Sequence, residues 1–151
     1  MKRYEDYRSS ITQALAGDLR ICQLLAGASG AAAAEPLNRQ IFAYDHVPNE
    51  SDSAGAYITL LLTTPAAASR RVRTMHLTFR VFTAVSGMWV TENGKQALLS
   101  DLIAERIDEL FNGSAAFGTK LRFVSRKDGY RPAAGYWGAE LTYSARCLAG
   151  L

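Results

Sequence analysis

VRTMHLTFRVFT, residues 72–83, alternates along its whole length: Met75, Leu77, Phe79 and Val81 fall on one side of an extended chain, and His76, Thr78, Arg80 and Phe82 on the other. That period of two is the mark of a half-buried strand. The segments flanking it carry apolar stripes that need a sheet to cover them, so this stretch is the natural centre of the core.

Upstream, YITLLLT over 57–63 reads as a second strand, buried on both faces because its apolar run is nearly continuous. TPAAASRRVR links the two, with Pro65 barring a straight continuation, which predicts an antiparallel pair. IFAY over 41–44 reads as a short strand before DHVPNESDSAG, whose turn residues predict an exposed, mobile loop over 45–55. From 3 to 26, Tyr4, Tyr7, Ile11, Ala14, Leu15, Cys22 and Leu25 recur at three- and four-residue steps, predicting one amphipathic helix that Gly17 weakens without ending. The alanine-rich 27–39 segment is a connector, and Pro36 turns the chain out of any helix.

Downstream, AVSGMWVTENGK reads as a turn-rich link to a helix over 95–111. Leu98, Leu99, Leu102, Ile103, Ile107, Leu110 and Phe111 form its apolar face, and Asn112-Gly113 stops it. A closing hairpin follows, with strands over 120–125 and 136–148; in the second, Trp137, Ala139, Leu141, Tyr143, Ala145 and Cys147 alternate in strict register. The fold class is therefore α+β: a mixed, mainly antiparallel sheet of about four to five strands with two main α-helices packed on it, in one domain over 1–151.

Composition narrows function mostly by exclusion. The chain is 48% apolar and 21% charged, ordinary globular values, and 17 Lys and Arg against 14 Asp and Glu leave a net charge of +3, which by itself does not imply nucleic acid. The polar start, MKRYEDYRSS, does not read as a leader, and no apolar run reaches the roughly 18 residues of a spanning helix, so a cytosolic protein with no membrane role is expected. Cys22 and Cys147 stand far apart inside apolar patterns and read as reduced core residues. His46 and His76, the only histidines, accompany no nucleophile elbow. Asp45, His46, Glu50 and Asp52 lack a recognised ligand spacing, and the GASG run is not a phosphate loop. No catalytic residue, metal site or cofactor is expected.

Two basic clusters remain: Arg70, Arg71 and Arg73 before the central strand, and Arg126, Lys127 and Arg131 with Tyr130 and Tyr136 in the closing hairpin. Side by side they would form one positive rim suited to a phosphate backbone or an acidic partner subunit; the plain alternative is solvation. Trp89 reads either as an interface anchor or as a core residue beside the second helix.

The order of these elements resembles the small tail terminator or tail completion proteins of long-tailed bacteriophages, prophage-encoded minor tail or head-tail joining proteins. The resemblance rests on the AYITLLLT strand leaving a Pro/Asp-rich loop, and on MHLTFRVFT leading to LLSDLIAERIDELF before a final hairpin. It implies a non-enzymatic virion tail part, assembled in the host cytoplasm, that forms a ring of its own copies, typically hexameric. Such a ring caps the tail tube protein and meets a head-tail connector protein; the Arg-rich closing loop, with Arg126 and Arg131, is then expected to face either an adjacent subunit or the channel where it would touch passing DNA non-specifically. The alternatives are a connector or neck adaptor on the portal side, a small binding domain, or an unrecognised enzyme.

Overall fold

The protein is described by a computed structural model covering residues 4–29, 39–48, 55–64, 72–115 and 120–148. Its elements are α1 (Tyr4–Ala16), α2 (Leu19–Ser29), β1 (Ile41–Phe42), β2 (Ala56–Thr63), β3 (Val72–Ala84), β4 (Trp89–Glu92), β5 (Lys95–Leu98), α3 (Leu99–Phe111), β6 (Arg122–Tyr130) and β7 (Tyr136–Leu148). The class is α+β, with a five-stranded sheet in the order β1-β2-β3-β7-β6 and a separate β4-β5 hairpin. All pairs in the large sheet are antiparallel except β1 with β2, which is parallel.

Alternation in β3 does what the sequence predicts. Met75, Leu77, Phe79 and Val81 are buried beneath the helices together with Ile58 and Leu60 of β2 and Leu141, Tyr143 and Ala145 of β7. The helices contribute Ile11, Leu15, Ile21, Leu25, Ile103 and Ile107 to the same core, and Phe111 packs on Phe79 with ring centroids 5.0 Å apart. Each such side chain taken fully out of water stabilises the fold by about 1.5–3 kcal/mol before entropy is charged against it.

The first helix is two helices, not one. Gly17 and Asp18 break it, because Asp18 is a strong N-cap: its Oδ2 accepts the Ile21 N–H at 3.0 Å and starts α2 afresh. The second predicted helix begins at Leu99 rather than 95, since residues 89–98 form the β4-β5 hairpin. Asn93 (φ 52°) and Gly94 (φ 77°) take the left-handed conformations that a two-residue hairpin turn demands. The closing strands also differ in length from expectation: β6 runs on through Arg126, Lys127 and Tyr130, so only 131–135 turn the chain.

Part of the polar loop is anchored. Asp45 is ion-paired and Pro48 is buried, while residues 49–54 lie outside the described residues, as does most of the alanine-rich segment. Buried Gln40 joins three elements: its Nε2 donates to Leu25 O at the end of α2 and to Ala56 O at the start of β2, and its own carbonyl accepts from Ile58 N. That arrangement ties α2 to the start of β2 through one buried side chain.

Candidate assembly surface

All three helices lie on one side of the sheet, which leaves the other side for polar and aromatic groups. On this helix-free face one cross-strand row holds Tyr57, Phe82, Gly138 and Tyr130, and Tyr57 and Phe82 are themselves buried in a second small core. Gly138 has no side chain, so the Phe82 and Tyr130 rings meet edge to face at 5.8 Å, and Tyr136 and Phe42 complete the cluster. His46 stacks on Phe42 at 3.9 Å.

The adjacent row is ionic. Arg80 binds Asp45 at 2.6 Å, faces Glu140 at 3.6 Å and lies 5.0 Å from the centre of the Tyr130 ring. Burial works against the Arg80 charge, but the Asp45 hydrogen bond and the surrounding negative groups outweigh it and raise its pKa. Burial also raises the Tyr130 pKa, with Arg80 opposing and Asp45 and Glu140 adding to the rise. Tyr130 is thus a neutral, fixed platform on a permanently charged row.

The closing-hairpin cations do not form one cluster. Arg126 points to the helix side, where it bonds Asp101 in the first turn of α3 and Asp128 at 3.3 Å. Lys127 pairs across β7 with Glu140 on the open side, because successive strand residues face opposite ways. Arg131 lines a separate groove of about 410 Å³ with Val85, Met88, Tyr136 and Trp137.

Arg70, Arg71 and the Arg73 side chain lie outside the described residues, but the Arg73 backbone pairs with Cys147 at one end of β3. Arg126 aligns through Leu141 with Phe79, six residues along or about 20 Å, and Tyr130 through Gly138 with Phe82, nine residues or about 30 Å. The Arg73 backbone thus stands well away from Arg126 and Tyr130 along the sheet. Trp89, on β4, is 58% exposed rather than part of the core. Cys22 is half-buried, its thiol bonding Ala16 O at 3.1 Å and pushed up in pKa by burial and by Asp18, whereas the Cys147 side chain lies outside the described residues.

β6 is an edge strand of the sheet and carries two adjacent exposed apolar residues, Phe123 at 48% and Val124 at 49% exposure. Leu121 is buried, but Phe123 lies on the sheet edge and a register shift between Phe123 and Ser125 leaves Val124 exposed as well. Missed in the sequence were Arg80 with Asp45, whose pairing is long-range, and the β4-β5 hairpin, which Asn93-Gly94 between two strand-like runs does signal. Among the described residues no group of three His, Cys, Asp or Glu side chains is placed to hold a metal.

The fold and its surfaces define an α+β protein with helices on one side of its sheet, an aromatic and ionic face on the other, and a long edge strand. Residues 18–145 match the YomW family, a phage-associated family, and the chain belongs to it. No curated protein sequence matches the chain. Its fold is similar to that of a chain in the virion of a native gene transfer agent (GTA) particle, with a TM-score of 0.58 and 15% identity over 95% of this chain and 94% of that one.

Proposed function

We propose that the protein is a phage structural protein without catalytic activity, a virion component that assembles with copies of itself into a ring and closes the tail tube on its head side. The reading rests chiefly on membership of a phage-associated family together with a fold shared, over nearly its full length, with a chain of a virion particle. The edge strand agrees with it. A nine-residue outer strand bearing exposed Phe123 and Val124 offers backbone and apolar surface to a neighbour, and a head-to-tail contact of this kind closes into a ring when the rotation allows.

Solution mass by light scattering over a dilution series tests this reading. A ring-sized assembly, alone or on addition of purified tail tubes, is expected. A monomer that ignores tail tubes but binds portal complexes would move the protein to the connector position, and one that binds neither would overturn the structural reading.

A further inference from the structure

The open face has a second feature at the end of the sheet remote from the aromatic cluster. Thr74 of β3, Ser144 and Arg146 of β7, Arg122 of β6 and Lys120 just before it line a cleft of about 540 Å³. Register explains why they meet: Arg122 lies opposite Ser144, and Arg146 opposite Thr74. None of the described lining residues is acidic. Three cations and two hydroxyls thus share one recess, with Lys127 further along the same face of β6.

We propose that this cleft binds the phosphate backbone of a nucleic acid. Two guanidinium groups and an ammonium supply charge, and the guanidinium fork matches phosphate oxygens in a way a point charge does not. Thr74 and Ser144 add hydroxyl donors. Lys120 and Arg122 stand two residues apart, about 6.7 Å for an extended chain, a separation comparable with that of successive phosphates on one strand. Three cations spread over two strands of one recess suit a linear polyanion better than a compact anion or an acidic side chain. No aromatic ring is among the described lining residues, so recognition is of the backbone and independent of sequence. The inference stands on the cleft alone and does not require the ring.

Fluorescence anisotropy of the full chain with a short DNA duplex of arbitrary sequence tests it, read between about 50 and 200 mM salt. Three phosphate contacts predict a slope of log K on log salt of roughly −2.7, or about a 40-fold loss across that range. The double variant Lys120→Gln/Arg122→Gln is expected to shrink that to roughly fourfold, each cation removed lowering the slope by about one. Lys95→Gln, on the separate hairpin, serves as the control and should bind as the parent does. Circular dichroism verifies that each variant is folded.

Binding with unchanged slope in the double variant would overturn the proposal, as would no DNA binding by the parent at the lowest salt. Inorganic phosphate that saturates the parent but not the double variant, without DNA affinity, would assign the cleft to a free anion. Polyglutamate competing as well as DNA would assign it to an acidic protein. Either result replaces the nucleic-acid reading.

Discussion

Arg106 of α3 holds Asp18, the residue between α1 and α2, through two hydrogen bonds: Nε to Oδ2 at 3.0 Å and one terminal nitrogen to Oδ1 at 2.7 Å. The same Oδ2 caps α2 through the Ile21 N–H, so one carboxylate both starts a helix and fastens it to another 88 residues away. Removing the cap with Asp18→Ala should cost about 1 kcal/mol from that bond alone, and loss of the Arg106 contacts adds to it. Asp18→Asn keeps a capping oxygen and should cost less. Urea denaturation midpoints of the two variants provide the comparison.

The same pair sets an acid limit. Hydrogen bonding by Arg106 holds the Asp18 carboxyl below its ordinary 3.8; partial burial opposes this and the Ile21 N–H assists it. A folded pKa lower than the unfolded one contributes stability that is present above the unfolded value and is lost as pH falls through the folded value. The parent and Asp18→Asn should therefore differ most near neutral pH and converge below about 3.8. Denaturation curves taken down to strong acid give the answer, and a gap independent of pH would show that charge plays no part.

Tyr143 governs the alkaline side. Its pKa is raised, first by burial and then by its hydrogen bond to Asp108 Oδ1 at 2.7 Å, because a phenolate there would face both an apolar core and a carboxylate. A raised folded pKa contributes stability that is present below the unfolded value of 10.0 and declines as pH rises above it. Tyr143→Phe should lose about 1 kcal/mol at neutral pH through the missing hydrogen bond. Above pH 10 its stability should fall less steeply than the parent's, which melting curves in alkaline buffer would reveal.

Gly138 is fixed by space rather than by backbone conformation. A Cβ there would come within 1.8 Å of the Val81 carbonyl oxygen and 2.6 Å of Phe82 Cα, so the central β3-β7 pair would have to separate. Gly138→Ala should destabilise by about 3 kcal/mol or more. A melting temperature within a degree or two of the parent's would contradict this.

Val124 separates assembly from folding. It is half exposed at a register shift on the edge strand, so Val124→Lys should change folding stability by no more than about 0.5 kcal/mol. In the proposed ring the added charge opposes edge pairing. Light scattering should then show a smaller species than the parent's at the same concentration, with an unchanged melting curve.

Residues 72–83 and 136–148 were legible as strands because alternation is a local property, and the face that each side chain takes follows from polarity alone. The Asn93-Gly94 hairpin signal is equally local, but the apolar stripe of α3 continues back over Leu98 in sequence and masks it. Gly17-Asp18 was ambiguous for a different reason. A glycine inside an apolar repeat is often tolerated, and what turns it into a break is Asp18 capping α2 while held by Arg106.

By itself, then, the sequence determined the α+β class, the two long strands and the face that each presents to the core, all consequences of periodicity over neighbouring residues. Tertiary structure alone decided the surfaces. Pairing of β6 with β7 sent Arg126 to the helices and Lys127 to the open face, on opposite sides of one strand. The same pairing, with that of β3 and β7, gathered Thr74, Lys120, Arg122, Ser144 and Arg146 into one cleft. Cross-strand register is a long-range choice between many alignments of similar local propensity, and packing of the whole core selects among them.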